Sequence, residues 1–192
     1  HIVCPVHRWT YGLDGRLAGA PHFADDPCLH LRNDALQNWN GLLFDDGGRK
    51  LEADLAGMAA APDLSFDGYV FDRAVMHECD YNWKTFIEVY LEDYHVGPFH
   101  PGLGHFVTCD DLRWQFGPHW SVQTVGVLDR LARAGSAAYE RWHRALLAYR
   151  EGRPPEHGAI WLTYYPTTMV EWYPHVLVVS SLFPKGPRKT LN

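Results

Sequence analysis

The 192-residue chain has no apolar run approaching the roughly 20 residues that a membrane-spanning helix requires. Its apolar bursts, such as residues 175–183, are far shorter, and no charged region followed by a hydrophobic one opens it. A membrane partner and secretion are therefore not expected, and a cytoplasmic location fits. Basic charge is also scarce. Against 23 Asp and Glu stand 17 Lys and Arg, a formal net charge of −6, which leaves no electrostatic footprint for a nucleic-acid backbone. Cys4, Cys28, Cys79 and Cys109 are too few and too scattered for a disulfide scaffold, and fit a reducing compartment. There is no glycine-rich phosphate loop and no Gly-x-Ser-x-Gly elbow, so nucleotide-binding folds and serine hydrolases have no support.

What is abundant is histidine and tryptophan, with 12 and 8 residues. Imidazole at that density points to metal ligation or proton chemistry. With 46% hydrophobic and 21% charged residues the chain can build a core. Residues 1–44 mix Gly, Pro and Asp with short apolar bursts and turn signals such as Leu13-Asp14-Gly15, which reads as small β-structure. From residue 45 to 62 the composition shifts to that of a connector. Beyond it, residues 69–75, 121–128, 160–165 and 176–183 look like strands. Helical spacing relates Trp83, Phe86, Tyr90 and Tyr94, and also Leu128, Leu131, Ala138, Trp142, Leu146 and Tyr149. Strands with a few segregated helices predict an α+β fold. The chain opens on His1 rather than Met and closes without a stopping signal, so a piece cut at both ends is expected.

Two clusters carry chemistry. Cys4 and His7 form a Cys-x-x-His pair that a tight turn can aim at one metal centre, but it supplies only two ligands. Cys28 and His30 follow, and the four together would make a Cys2His2 zinc site, a non-redox reading; equally, Cys28 and His30 are side chains on one face of a strand. The second cluster is richer. Glu88, Glu92 and His95 lie at steps of four and three, one polar stripe on a helix. His100 follows His95 by five, about 500° along a helix and so off-face; the two could share a metal only if the chain breaks between them, and Gly97-Pro98 predicts that break. Two His with a carboxylate and open positions suit non-haem Fe(II) and O2. His105 lies in a Gly- and Pro-rich loop and is expected to stay out of the site. The plain competing reading is an amphipathic helix with solvated acids and incidental histidines.

Taken together, the residues Cys4-Pro5-Val6-His7-Arg8-Trp9-Thr10-Tyr11 with Asp14-Gly15-Arg16-Leu17, the run Trp39-Asn40-Gly41-Leu42-Leu43-Phe44, and Asn82-Trp83-Lys84 followed by Glu92-x-x-His95-x4-His100-Pro101 resemble the catalytic α subunit of Rieske-type non-haem iron aromatic-ring-hydroxylating oxygenases. The likeness extends along the whole chain, including an aromatic strand at residues 161–174. It implies the C-terminal part of a Rieske β-domain at residues 1–45, a linker at 46–65, and part of a helix-grip (Bet v 1/START-like) catalytic domain at 66–192. By the same resemblance Cys4 and His7 would each ligate one iron of a [2Fe-2S] cluster, and His95 and His100 would hold a mononuclear Fe(II). Glu92 falls where the family keeps an acid linking a neighbouring subunit's cluster to that iron. The implied cosubstrate is O2, with electrons from NAD(P)H through a reductase or ferredoxin, an aromatic or similar organic substrate, and a homotrimer with or without a β subunit. The family usually has Gly where Arg8 stands and often Asn where Val89 stands. The upstream cluster ligands and the carboxylate iron ligand are missing, so a fragment inactive alone is expected; no context around Glu171 or the other late acids resembles that carboxylate's. A helix-grip protein that binds a ligand without chemistry is the other competitor.

Overall fold

The computed structural model describes residues 1–45, 47–100, 102–127 and 137–192, apart from the side chains of His105, Ala138 and Tyr139. It divides into two units, residues 1–51 and 52–192. In the first, β1 (Ile2–Val3), β2 (Thr10–Tyr11) and β3 (Leu17–Gly19) pair antiparallel in that order, and β4 (Leu36–Trp39) and β5 (Leu42–Asp45) form a hairpin. Asn40-Gly41 is the hairpin's two-residue loop. Both take positive φ, 50° and 90°, as the mirror-image turn that matches strand twist requires, and Asn38 Oδ1 accepts the Gly41 N–H at 2.8 Å. Between β1 and β2 the chain folds back so that Cys4 N–H donates to Trp9 O at 2.8 Å and Arg8 N–H to Cys4 O at 2.9 Å. Arg8 closes this loop at φ 61°, where a Cβ is disfavoured.

The second unit runs through α1 (Leu51–Asp54), β6 (Glu78–Cys79), α2 (Trp83–Val89), α3 (Val96–Phe99), a 3-10 turn (Leu103–His105), β7 (Val107–Phe116), β8 (Trp120–Val127), α4 (Ala137–Tyr149), β9 (Ala159–Tyr164), β10 (Thr168–Tyr173), β11 (Val176–Ser181), β12 (Phe183–Gly186) and β13 (Lys189–Leu191). Among the described residues β11-β10-β9-β8-β7 make a five-stranded antiparallel sheet and β12-β13-β6 a smaller one. The large sheet is covered on both sides, which is why β8, β9 and β10 read as nearly continuous apolar runs rather than alternating ones. On one side Trp172 Nε1 donates to Ser65 O at 3.2 Å and Tyr164 Oη to Asp54 Oδ2 at 2.6 Å, so residues 52–66 pack there. On the other, Val125, Ala159 and Trp161 pack with Val96, Phe106 and Val107.

Helix α2 follows from its sequence. Asn82 caps it by accepting the Lys84 N–H at 3.0 Å. Trp83, Phe86, Ile87 and Tyr90, at steps of three and four, lay one face on Met169 and Leu182. The helix stops at Val89, so Tyr94, expected on the same face, is 87% exposed.

Three further expectations are corrected. Residues 69–75 form no strand, and Val70 and Phe71 are left exposed: β-propensity yields a strand only where a neighbouring strand supplies partners. The aromatic strand anticipated at 161–174 is two strands, β9 and β10, paired antiparallel as Thr168↔Tyr164 through Trp172↔Ile160. Gly97-Pro98 does not break the helix; it lies inside α3, and the break comes earlier, between Val89 and Val96. Proline is tolerated there because the first four N–H groups of a helix have no intrahelical partner. The helical spacing expected across Leu128 and Leu131 lies outside the described residues. No helix among the described residues is long and apolar enough to cross a membrane.

Candidate active site

His95 and His100 bracket the single turn of α3, as its N-cap and C-cap. The turn is held by Phe99 N–H to His95 O and His100 N–H to Val96 O, both 2.9 Å. At His100 the backbone leaves the helix, with φ −124° and ψ 60°. That departure swings its Cβ away from the direction a continued helix would give, and the two rings come together with centroids 5.2 Å apart at 77°. His95 is half-buried and His100 exposed. Buried Val96, between them, anchors the turn in the core.

Glu92 fixes His95. One carboxylate oxygen contacts His95 Nδ1 and the other accepts the His95 N–H at 3.3 Å. Partial burial pushes the Glu92 carboxyl up, but these bonds from the His95 side chain and backbone outweigh it and hold the group below the usual carboxylate range. With Nδ1 engaged, Nε2 is the His95 nitrogen available to a ligand.

Beside the pair lies a cavity of about 150 Å³, lined by Val89, Tyr90, Glu92, His95, Val96, His100, Leu103, Trp161, Glu171 and Tyr173. Glu171, on β10, is buried there. It accepts hydrogen bonds from Tyr90 Oη and Tyr173 Oη, each at 3.0 Å, and Trp161 Nε1 donates to Tyr173 Oη at 3.1 Å. Burial pushes the Glu171 carboxyl up, only partly offset by the two tyrosine bonds. Tyr90 and Tyr173 are pushed up as well, first by burial and then by the Glu171 charge.

In the first unit, Cys4 is half-buried and His7 exposed. Backbone N–H groups of His7 and Val6 face the Cys4 sulfur and lower its thiol pKa, an environment that favours thiolate. Cys28 and His30 do not join them. His30 Nδ1 accepts the Leu17 N–H at 3.0 Å. Among the described residues, the group of three or more His, Cys, Asp or Glu whose ligand atoms converge is Asp63, Glu156 and His157, not the four expected for zinc. The His105 side chain lies outside the described residues.

Residues 66–192 match the family model described as the ring hydroxylating alpha subunit, catalytic domain. The chain belongs to that family. Across all 192 residues this ring-hydroxylating α-subunit chain is 62% identical to a putrescine 2-hydroxylase of Ralstonia nicotianae, covering 52% of it, and 57% identical to one of Bordetella bronchiseptica, covering 44%. A carnitine monooxygenase oxygenase subunit of Acinetobacter baumannii is 30% identical over 64% of this chain and 36% of that protein. The chain thus spans about half the length of the curated relatives it matches. In structure it resembles a quaternary ammonium Rieske monooxygenase, with a TM-score of 0.66 and 22% identity over 98% of this chain and 49% of the other. The similarity at that identity is one of fold.

Glu171 is the residue that sequence reasoning passed over in this family member. The signal was present: a single acid within the strand run Thr168-Met169-Val170-Glu171-Trp172-Tyr173 is a charge that must be buried and satisfied.

Proposed function

We infer that this chain is part of the oxygenase component of a Rieske monooxygenase that hydroxylates a small aliphatic amine, putrescine or a close analogue. The observation that carries the reading is the His95–His100 pair, centroids 5.2 Å apart, beside a cavity lined by Glu171, in a chain that shares 62% identity with a putrescine 2-hydroxylase. An alkyl amine thereby takes the place of the aromatic substrate that the sequence motifs alone suggested. Residues 1–45 are read as the C-terminal part of a Rieske domain, 46–65 as a linker and 66–192 as part of a helix-grip catalytic domain.

The donor chemistry fits the implied metals in part. His95 and His100 are borderline nitrogen donors suited to Fe(II), and their separation suits two imidazoles sharing an ion at about 2.1 Å. Cys4, with its thiolate favoured, and His7 fit one half of a [2Fe-2S] ligand set. When bound, the cluster and Fe(II) would supply electron storage and O2 chemistry, fed from NAD(P)H through a reductase or ferredoxin. The chain's own residues do the positioning. Glu92 holds His95 Nδ1 and so orients its ring. Tyr90, Trp161, Leu103 and Val96 wall the cavity.

The test is His95→Ala in the full-length protein. Product from putrescine, followed by mass spectrometry, should disappear together with the mononuclear iron, while the Rieske absorption persists. Hydroxylation surviving without His95 would defeat the assignment, and unaltered putrescine binding with no turnover even in the wild type would favour a ligand-binding protein.

A further inference from the structure

The cavity beside His95 and His100 has an unbalanced charge. Glu92 is answered by His95, whereas among the described residues Glu171 is answered only by neutral hydroxyls and the cavity lining contains no Lys or Arg. Its two oxygens each accept one tyrosine bond, which leaves acceptor capacity on both. Three aromatic rings stand with it in the lining: Tyr90 and Trp161, with centroids 6.4 Å apart, and Tyr173. A buried carboxylate among aromatic faces suits an organic cation, which gains both the charge and the ring quadrupoles.

The sheet register separates another buried polar group from this subsite. Gln123 on β8 is opposite Trp161, and Trp161 is opposite Glu171, so Gln123 and Glu171 flank Trp161 on one face of the sheet. Gln123 is 2% exposed, and neither its Oε1 nor its Nε2 has a hydrogen-bond partner among the described residues. An unsatisfied buried amide is costly. Trp161 stands between it and Glu171, and Gln123 lies outside the cavity lining.

We propose that Glu171 is the subsite that binds a primary ammonium group of the substrate and selects it over a quaternary ammonium. A primary ammonium carries three N–H donors for the remaining acceptor capacity of the Glu171 oxygens, whereas a trimethylated nitrogen carries none. The inference rests on the amine-hydroxylase reading and adds to it the residue that recognises the amine. Glu171 is not assigned to the metal, since no set of three ligand atoms including His95 and His100 converges among the described residues. The upward push that burial gives the carboxyl agrees with a group that lacks its counter-charge until an amine arrives.

The experiment uses the full-length oxygenase and isothermal titration with 1-aminobutane, butyltrimethylammonium and butan-1-ol, which share one alkyl chain. The wild type should bind the primary amine about 10-fold or more tightly than butyltrimethylammonium, which keeps the charge but donates no hydrogen bond, and about 30-fold or more tightly than butan-1-ol, which lacks the charge. Glu171→Gln should erase that preference while iron content and Rieske absorption stay unchanged, and Gln123→Leu, outside the cavity lining, should leave the preference in place. Equal wild-type affinity for the three compounds overturns the inference without any variant. So does an unchanged preference in Glu171→Gln, or loss of iron from it, which would make Glu171 a metal ligand. A wild type that prefers 1-aminobutane yet neither binds nor hydroxylates putrescine sinks the underlying reading instead, a result distinct from the others.

Discussion

Glu92 and His95 are joined twice, through the imidazole Nδ1 and through the backbone N–H, by the two oxygens of one carboxylate. Three residues of chain suffice for this because the segment between them turns, with Val96 N–H donating to Asp93 O at 3.0 Å. The acid that orients the imidazole is thus built into the same stretch of backbone as the imidazole.

Replacing Glu92 by Gln keeps the size and removes the charge. In the full-length enzyme the mononuclear iron should remain, and turnover should fall roughly 10- to 100-fold, the range for outer partners of a metal-bound histidine. Iron analysis beside steady-state rates checks this; unchanged turnover would deny Glu92 its role, and lost iron would make it a ligand.

Cys4→Ser should abolish the visible iron–sulfur absorption of the full-length protein. Serine preserves the loop but not the soft thiolate a cluster needs. A variant that keeps its colour would show that Cys4 lies outside the cluster.

Arg8 occupies a left-handed conformation at φ 61°. Gly there is relieved of the Cβ clash but gains freedom in the unfolded chain. The net expectation for Arg8→Gly is a gain of about 0.5–1 kcal/mol, read as a higher denaturation midpoint. A lower midpoint would mean that the Arg8 side chain contributes more than its backbone costs.

Glu171 supplies a pH signature. Burial raises its folded pKa above the ordinary value of 4.5. A carboxyl raised on folding binds its proton more tightly in the native state, so its stabilising contribution is present below 4.5 and is lost as pH rises through the folded value. Without added amine, the melting temperature of Glu171→Gln minus that of the wild type should therefore grow as pH increases from 4.5 toward neutrality. A difference that shrinks over this range would contradict the assigned burial.

The legible parts of the sequence were those whose signal is local. The β8 and β9 strands and the apolar face of α2 declared themselves through runs and spacing. So did the proximity of His95 and His100, although the expected device was wrong: Pro98 was read as a breaker, yet at the start of a helical turn it has no hydrogen bond to forfeit. What spacing cannot encode is the partner across a sheet. Residues 69–75 have strand-like composition but no partner strand among the described residues, while Glu171 owes its role to Tyr90, 81 positions away. The same blindness produced the four-ligand zinc alternative, because Cys4, His7, Cys28 and His30 do not converge among the described residues.

The single turn of α3 acts as a caliper. The gap between its two imidazoles is set by the two backbone bonds of the turn, Phe99 N–H to His95 O and His100 N–H to Val96 O. An insertion of one residue would rotate the second jaw by about 100° and close the tool on nothing, whereas a change of side chain at exposed Gly97 leaves the setting alone. An ion gripped by both jaws would in turn hold the turn wound, so that local order and metal occupancy rise and fall together.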